Sequence, residues 1–490
     1  MKTGCNFISG AWQPALSGAT YTTRNPADLR QEVGEYPRSG EADAQAAIAA
    51  AAGAFPGWRD LTAVARGRLL SQASNILAQR KQAVAEAITI EEGKTLAESL
   101  GEVQRAIDIF RFFGGLSYTL GGQTIPHDLP ENLLYTIRQP LGVAGLITPW
   151  NFPIAIPAWK MAPALVCGNS VVIKPASSVP GPVIELARCL EEAGLPRGVL
   201  NVVIGDGRSA GGALVRHSAV QALSFTGSYD VGRQIHLDLA PRMARSQLEM
   251  GSKNPTIVLA DADLDLAADL AARAGFGLTG QACTATSRVI VERAVLEPFT
   301  ERLVARARSW KVGPGMEPGI QMGPAASPAQ LATDLSHVED ALAEGARLLQ
   351  GGRRLDQDPL QHGCFMAPTV LGDVTPAQRI AREEVFGPVI AIIAAGDFDE
   401  ALAIANGVDT GLSASIVTRN LRKAMLYAER IEAGVVKINQ ISTGLALQAP
   451  FGGVKQSSTD TFREQGQGAI EFYSRLKTVY LDYSAPEGRS

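Results

Sequence analysis

The chain has 490 residues, of which 46% are hydrophobic and 19% are charged, with 50 glycines and 28 prolines. This composition excludes a disordered chain, a coiled coil and a disulfide-stapled miniprotein, and the length allows two or three separate cores. Lys and Arg number 45 against 49 Asp and Glu, so the basic excess typical of nucleic-acid binders is missing and no nucleic acid is expected as a partner.

The five cysteines are scattered and form no CxxC pair. They therefore favour neither a disulfide framework nor a zinc site, and no metal is expected. No secretory signal is visible in the first ten residues, so the predicted location is the cytoplasm. The most apolar stretch, residues 141–168, contains four prolines that would each remove a helix hydrogen bond, so no membrane association is predicted.

The N-terminal part of the chain shows helical spacing of apolar residues. The pattern predicts helices over Glu41–Ala54, Leu61–Leu100 and Arg105–Leu116, so the first hundred residues are expected to be mostly helical. Glycines and Pro126 then interrupt the chain before the alternating segment Leu133–Arg138, which predicts an exposed strand.

From residue 140 onward, short apolar runs alternate with helical segments. This pattern predicts parallel, doubly wound α/β units, and two such domains in series are the simplest interpretation. The predicted strands are Leu141–Ile147, Ser170–Ile173, Val199–Ile204, Val220–Phe225, Thr256–Leu259, Ser287–Val291, Val389–Ile393, Leu412–Val417 and Val435–Ile438. Near the C-terminus, Leu476–Tyr483 alternates and predicts an edge strand that pairs with another element or subunit.

Two glycine-containing junctions are candidate phosphate-binding loops. Gly205-Asp206-Gly207 follows a predicted strand, but the dinucleotide fingerprint requires a third glycine where the chain has Ala210, so a plain tight turn is favoured. Gly227 and Ser228 close another predicted strand, where small residues leave backbone N–H groups available for a pyrophosphate.

Three residues are candidates for catalysis. Cys283 lies among small residues and is either a buried small side chain or a nucleophile. Glu249 lies between apolar residues, where burial would raise its pKa toward that of a useful base; the alternative is a helix-capping or ion-paired acid. Asn151 is held between two prolines, where a rigid amide suits an oxyanion donor and also an ordinary turn.

The order of the motifs along the whole chain resembles the aldehyde dehydrogenase superfamily. The matching segments are Thr148–Pro153, Lys174-Pro175, Phe225–Ser228, Leu248–Pro255, Gly280–Cys283, Glu383–Pro388 and Pro450–Gly453. The resemblance implies two doubly wound α/β domains plus a small β oligomerisation element. Residues 1–118 and 140–249 would form the dinucleotide-binding domain, 250–449 the catalytic domain, and 119–139 with 470–490 the oligomerisation element of a homodimer or homotetramer.

The resemblance also implies a thioester mechanism. Cys283 would attack an aldehyde, the Asn151 amide and the Cys283 backbone N–H would hold the oxyanion, and Glu249 would activate the hydrolytic water. A nicotinamide cofactor would accept the hydride. The residues expected to bind the cofactor are Trp150, Lys174, Ser177, Gly227, Ser228, Glu384 and Phe386.

Position 177 bears on the choice of cofactor. Many members of the family that prefer NAD carry Glu here, which binds the ribose hydroxyls and repels a 2′-phosphate, whereas this chain has Ser177. Ser177 and Lys174 could hold the phosphate together. We therefore expect NADP, with use of NAD still open.

The substrate implied by the resemblance is an acidic semialdehyde, 2-oxoglutarate semialdehyde in particular, with succinate semialdehyde or a broad range of aldehydes as alternatives. Arg105, on a helix among apolar neighbours, is the candidate reader of the distal carboxylate; the alternative is a surface arginine paired with Glu102. Further expected substrate contacts are Phe152, Trp159 and Ser442. A catalytically silent structural relative is the alternative from another class, and the presence of Cys283, Glu249 and Asn151 together argues against it.

Overall fold

The chain starts with strands rather than with helices. The protein was analysed as a computed structural model, which describes residues 2–484. The expectation of a mostly helical first hundred residues misses this region, where short strands of only a few residues carry too little periodicity to be recognised. The strands are β1 (Lys2–Thr3), β2 (Asn6–Ile8), β3 (Ala11–Gln13), β4 (Thr20–Asn25) and β5 (Asp28–Pro37).

Four helices follow, and local capping explains where they begin and end. Thr62 accepts a hydrogen bond from Ala65 N, and Thr95 forms a capping box with Glu98. Gly93 ends the third helix with φ at +106°, a conformation that favours glycine. The helices are α1 (Glu41–Asp60), α2 (Ala63–Gln79), α3 (Lys81–Glu92) and α4 (Leu96–Leu116).

The first α/β unit contains a seven-stranded sheet in the order β12-β11-β8-β9-β10-β2-β3, with β8 to β12 parallel. The chain moves outward from β8 in both directions, so the predicted doubly wound arrangement is confirmed. The elements in this part of the chain are β6 (Thr124–Ile125), β7 (Asn132–Pro140), β8 (Val143–Ile147), α5 (Ala155–Val166), β9 (Ser170–Lys174), α6 (Gly181–Glu192), β10 (Leu200–Val202), α7 (Gly212–Arg216), β11 (Val220–Gly227), α8 (Tyr229–Leu239) and β12 (Arg245–Met250). Of these, β6 and β7 lie outside the seven-stranded sheet.

The second unit has another seven-stranded sheet, in the order β15-β16-β17-β14-β13-β19-β20, in which only β15 is antiparallel to its neighbour. The remaining elements in chain order are β13 (Pro255–Val258), α9 (Leu264–Phe276), β14 (Arg288–Glu292), α10 (Leu296–Ser309), α11 (Pro328–Ala343), β15 (Arg347–Gln350), β16 (Thr369–Val374), α12 (Arg379–Arg382), β17 (Val389–Ala395), α13 (Phe398–Asn406), β18 (Thr410–Gly411), β19 (Ser413–Val417), α14 (Leu421–Arg430), β20 (Val435–Ile438), β21 (Val454–Lys455), α15 (Gly466–Tyr473) and β22 (Ser474–Asp482). Of these, α15 packs against α5 of the first unit, and β22 lies outside both large sheets.

The sequence analysis did not predict helix α5. This helix contains Pro157 and Pro163 and is buried on every side, so it shows no alternation of apolar and polar faces.

A third, small sheet combines distant parts of the chain. Strand β22 pairs antiparallel with β7 from Ser474 opposite Pro140 to Asp482 opposite Asn132, and β6 extends the sheet. The predicted strand over Leu133–Arg138 and the predicted C-terminal edge strand are both confirmed. Within the predicted element 470–490, residues 485–490 lie outside the described residues.

Over residues 2–484, we find no helix that combines the length and the apolar character needed to span a lipid bilayer.

A buried ion pair joins helix α4 to the loop that precedes α5. Lys94 Nζ lies 2.6 Å from Glu102 Oε2 and donates to Asn151 O, also at 2.6 Å. The other oxygen of Glu102 accepts hydrogen bonds from Ile154 N and Ala155 N at 2.9 and 3.0 Å. Both charged side chains are almost completely removed from solvent. The pair therefore fixes both the loop and the first turn of α5.

We expect Lys94→Met to destabilise the fold by about 3–5 kcal/mol, because it leaves the Glu102 carboxylate buried without its cation. Urea denaturation at neutral pH measures the change. Lys311→Met, at an exposed position, is the matched control and should stay within about 0.5 kcal/mol of the wild type. Equal stability of the two variants would contradict a structural role for the pair.

Candidate active site

Two cavities meet at Cys283. Cavity A, of about 200 Å³, lies between the two large sheets, and cavity B, of about 280 Å³, lies beside helix α4. Cys283 and Trp159 line both cavities. Cavity A is further lined by Trp150, Asn151, Gly227, Ser228, Glu249, Glu384 and Phe386. Cavity B is further lined by Glu98, Glu102, Arg105, Phe152, Leu278 and Thr284.

Hydrogen bonds to backbone carbonyls hold the loop that carries Cys283. The Asn254 side-chain amide donates to Cys283 O at 2.7 Å and to Ala285 O at 3.0 Å. Its own oxygen accepts from Ser413 N, at the start of β19. Asn254 therefore ties the cysteine loop to the second sheet, and the sequence analysis assigned it no role.

The surroundings of Cys283 disfavour its thiolate. Burial is the main cause of the raised thiol pKa, and the carboxylates of Glu384, Glu249 and Glu464 add to it. The resting side chain is thus a protonated thiol at neutral pH. It needs a base to become a strong nucleophile.

Asn151 is buried in the wall of cavity A. Its Nδ2 donates to Gln281 O at 2.9 Å, two residues before Cys283. The amide nitrogen carries two hydrogens, so this bond leaves the second one for another acceptor.

Glu249, on strand β12, is 2% exposed and lies in the same cavity as Cys283. Oε2 accepts a hydrogen bond from Gly453 N at 3.3 Å, and Oε1 has no partner among the described residues. Burial raises its pKa well above the ordinary value and nearby Glu464 raises it further, while Lys160 acts in the opposite direction. The alternative role of Glu249 as a helix cap is wrong, because the residue lies within strand β12.

Behind Glu249 lies a buried ion pair that the sequence analysis did not assign to the site. Lys160 Nζ donates to Glu464 Oε1 and, at 2.7 Å, to Ser224 Oγ. Lys160 is the only charged residue in the apolar stretch 141–168. An isolated charge in an apolar stretch indicates a buried ion pair, and this signal could have identified Lys160 from the sequence. Glu464 gave no comparable signal, since its partner comes from a part of the chain 304 residues away.

The opposite end of cavity A has features of an anion cradle. Gly227 ends β11 and Ser228 precedes the eleven-residue helix α8, whose N-terminus has no side-chain cap. Its first backbone N–H groups are thus available to a phosphate. Trp150 and Phe386 contact each other edge to face with ring centroids 5.4 Å apart, and Phe386 has φ at +63°.

Glu384 lies between this cradle and Cys283. Oε1 accepts from Ser252 N at 3.1 Å, and burial raises the pKa of the carboxyl to about 7. A Cβ at Gly251 would lie 1.9 Å from Glu384 Oε2, so only glycine fits beside the carboxylate.

Lys174, the last residue of β9, and Ser177 both contact one carbonyl, that of Gly205 in the loop after β10. Lys174 Nζ lies 3.4 Å from Gly205 O, and Ser177 Oγ donates to the same oxygen at 2.9 Å. Burial lowers the pKa of Lys174 to about 8, and Asp206 partly opposes this effect. The Asp206 carboxylate accepts hydrogen bonds from Arg208 N and Ser209 N at the following turn.

Arg105 lines cavity B together with Phe152 and Trp159. The alternative of an Arg105–Glu102 pair is wrong, because Glu102 pairs with Lys94 in the interior.

The expectation for Ser442 needs correction. Its side chain is 1% exposed and donates to Thr284 O at 2.8 Å, next to Cys283. Thr443, Gly444 and Leu445 line cavity B in its place. Ser442 thus supports the cysteine loop from behind, and the sequence could not distinguish this position from its neighbours.

The fold and this site place a cysteine, Cys283, in the wall shared by cavity A, which contains the uncapped helix N-terminus, and cavity B. Residues 12–479 match the sequence profile of the aldehyde dehydrogenase family, and the chain belongs to that family. It is therefore an oxidoreductase that acts on aldehydes, as the sequence analysis predicted.

Named relatives cover almost the whole chain. An alpha-ketoglutarate semialdehyde dehydrogenase of Haloferax volcanii is 50% identical over 98% of this chain and 99% of its own, and an alpha-ketoglutaric semialdehyde dehydrogenase of Bacillus subtilis is 46% identical over 98% of each. Among solved structures, betaine aldehyde dehydrogenase from Staphylococcus aureus in complex with NAD⁺ has a TM-score of 0.95 at 33% identity. The match covers 98% of this chain and 95% of that chain.

Glu384→Gln is expected to speed the alkylation of Cys283 by iodoacetamide at a fixed alkaline pH, by about three- to tenfold. The reason is that one negative charge beside the thiol is removed, which lowers the thiol pKa. Mass spectrometry of the Cys283 peptide separates this reaction from that of the partly exposed Cys5. Glu383→Gln, at the exposed neighbouring position, is the control. An unchanged rate in Glu384→Gln would show that the carboxylate does not act on the thiol.

Proposed function

We propose that the enzyme oxidises 2-oxoglutarate semialdehyde to 2-oxoglutarate through a thioester on Cys283. The observation that carries this proposal is the position of Cys283 in the wall shared by cavities A and B. Aldehyde oxidation through a thioester needs a nucleophile and a hydride acceptor that both reach the same substrate carbon, so the substrate and cofactor sites must meet at the nucleophile. Cavity B would hold the aldehyde and cavity A the cofactor.

In the first half of the reaction, the Cys283 thiol releases its proton to water, and Sγ forms a bond to the aldehyde carbon while the second C=O electron pair moves onto oxygen. The negative charge that develops on oxygen would be stabilised by the second hydrogen of Asn151 Nδ2 and by the Cys283 backbone N–H. When bound, the family's nicotinamide cofactor supplies the acceptor for the aldehyde hydrogen with its electron pair. The acyl group is left on sulfur as a thioester.

In the second half, Glu249 would take a proton from the water that attacks the thioester carbon. The carbon–sulfur bond then breaks, the thiol regains a proton and the carboxylate product leaves. Burial keeps the pKa of Glu249 high, which makes it a stronger base once ionised. Because the ionised form is required, hydrolysis should accelerate as the pH rises toward this pKa.

The residues of cavity A fit a dinucleotide. The uncapped N-terminus of α8 offers backbone donors to a pyrophosphate, and Glu384 and Phe386 would meet the nicotinamide ribose. We propose NADP as the preferred cofactor, with NAD also accepted. Ser177 brings no negative charge to the ribose, and the buried amine of Lys174 forms no ion pair within the described residues, so it can meet a 2′-phosphate.

The substrate proposal depends on Arg105 and on the relatives. Two relatives named for the semialdehyde of alpha-ketoglutarate, which is 2-oxoglutarate, are 50% and 46% identical to this chain. Arg105 would bind the distal carboxylate in cavity B, with Phe152 and Trp159 along the carbon chain. Succinate semialdehyde, one carbon shorter and also acidic, is the second candidate for the same reason.

The arrangement of the chain supports three further proposals. The first large sheet and its helices would form the dinucleotide-binding domain, and the second the catalytic domain. The small sheet would form the oligomerisation element of a homodimer or homotetramer, since it exposes apolar side chains including Leu133, Ile137, Leu476 and Leu481. The cytoplasmic location stays a prediction.

Glu249→Gln should keep a single rapid turnover of cofactor reduction and lose at least a hundredfold in the steady state, because only water activation requires the carboxylate. Stopped-flow absorbance at limiting enzyme separates the two phases. Cys283→Ala should show neither phase while it still binds cofactor. A Glu249→Gln enzyme with no initial burst would assign the carboxylate to the first half of the reaction.

Ser177→Glu should shift the preference toward NAD, because a carboxylate accepts hydrogen bonds from the ribose hydroxyls and repels a 2′-phosphate. We expect the ratio of kcat/KM for NADP over NAD to fall by roughly tenfold or more, which corresponds to about 1.4 kcal/mol. Ser178→Glu provides a neighbouring control. A ratio that does not change would place Ser177 away from the ribose.

Arg105→Leu should cost acidic semialdehydes about 2–4 kcal/mol in kcat/KM, the scale for losing a charge-assisted contact away from water. Propanal carries no carboxylate and should be little affected. Steady-state kinetics with 2-oxoglutarate semialdehyde, succinate semialdehyde and propanal test the contrast. The same loss for all three aldehydes would mean that Arg105 has a structural role only.

A further inference from the structure

Arg105 is held by a neutral partner. Its Nη2 donates to Gln465 Oε1 at 2.8 Å, across 360 residues of sequence. Its guanidinium forms no ion pair with the described residues, and the carboxylate whose charge acts on it is that of Asp108, one turn further along α4. The guanidinium has five N–H donors in a rigid fork, so one bond to an amide leaves most of its donors and its whole charge available.

Gln465 is fixed by its surroundings. Its side chain is 1% exposed and its backbone has φ at +61° and ψ at 167°, a combination that residues other than glycine rarely adopt. The next residue, Gly466, allows no side chain, because a Cβ there would lie 2.3 Å from Gln448 O. The backbone around Gln465, the residue that precedes helix α15, is therefore held by packing.

The orientation of the Gln465 amide follows from chemistry. Arg105 has no acceptor atom, so the oxygen of the amide must face it. The amide nitrogen, Nε2, is buried without a hydrogen-bond partner among the described residues. An unsatisfied buried donor is unfavourable, which indicates that the contact with Arg105 outweighs this cost.

The neutrality of Gln465 matters because cavity B, as lined by residues 2–484, has a single positive charge to offer a substrate carboxylate. Among the described residues that line it, Arg105 is the only basic one. Glu102 is neutralised by Lys94, and the Glu98 carboxylate accepts hydrogen bonds from Thr95 N and Leu278 N at 2.9 and 2.6 Å. A glutamate at position 465 would pair with Arg105 and compete directly with a carboxylate substrate.

We propose that Gln465 is a positioning residue for substrate specificity, whose amide oxygen orients the Arg105 guanidinium toward cavity B without neutralising its charge. This inference rests on the proposed role of Arg105 as the reader of a substrate carboxylate. The inference also explains why residue 465 is an amide and not a carboxylate.

Two nearly isosteric variants test the proposal. Gln465→Glu should raise KM for 2-oxoglutarate semialdehyde at least tenfold with little change in kcat, because the new carboxylate occupies Arg105. Gln465→Met should raise it less, since orientation is lost but the charge of Arg105 remains. KM and kcat for propanal should change less than twofold in both variants. Gln467→Glu, at an exposed position two residues away, controls for the added charge.

The pH dependence provides a readout that a purely structural defect would not show. Below the pKa of the introduced carboxyl the side chain is neutral, so KM of Gln465→Glu for the acidic substrate should fall back toward the wild-type value as the pH is lowered. Parallel losses with propanal, or an unchanged KM for the acidic substrate, would overturn the proposal. If Gln465→Glu does not fold, the contrast between the two substrates in Gln465→Met decides the question.

A double variant separates this inference from the proposed function. In the Arg105→Leu background, Gln465→Glu should raise KM for the acidic substrate no further than twofold, because there is no guanidinium left to occupy. If Arg105→Leu affects acidic and neutral aldehydes equally, the proposed role of Arg105 fails. If Arg105→Leu discriminates between them but Gln465→Glu has no effect, only the role of Gln465 fails.

Discussion

The buried pair of Lys94 and Glu102 is the interaction on which the site depends most. Through Lys94 it holds the backbone of Asn151, and through Glu102 it holds the first turn of the helix that carries Trp159 and Lys160. It also removes the net charge of a carboxylate in the wall of cavity B. One ion pair thus connects the fold, the proposed oxyanion donor and the electrostatics of substrate binding.

Buried carboxylates control the chemistry around Cys283. Glu249, Glu384 and Glu464 each raise the pKa of the thiol. The positive charge of Lys160, which also pairs with Glu464, lowers the pKa of Glu249. Binding of ligands in cavities A and B removes water from the same groups, which strengthens their mutual interactions. Proton transfer between them is therefore sensitive to each neighbouring charge.

Much of the fold was predictable because its strands are buried on both faces. Runs such as Val171–Ile173 and Val389–Ile393 are continuously apolar and alternate with helical segments, which is typical of a parallel sheet covered by helices. The N-terminal strands and helix α5 were not predictable in this way. The former are too short to show a period, and α5 is buried all round, so its sequence lacks the polar face that marks most helices.

The sequence by itself determined the family and selected the candidate reactive groups, since Cys283, Glu249 and Asn151 lie in motifs whose residue types and order match that family. Only the tertiary structure decided which charges face each other. Arg105 and Gln465 are 360 residues apart, Lys160 and Glu464 are 304 apart, and Ser442 lies behind the cysteine loop rather than in cavity B. The physical reason is that ion pairing, burial and pKa shifts depend on distances in space. The packing of the two sheets sets those distances, and the order of residues along the chain does not reveal them.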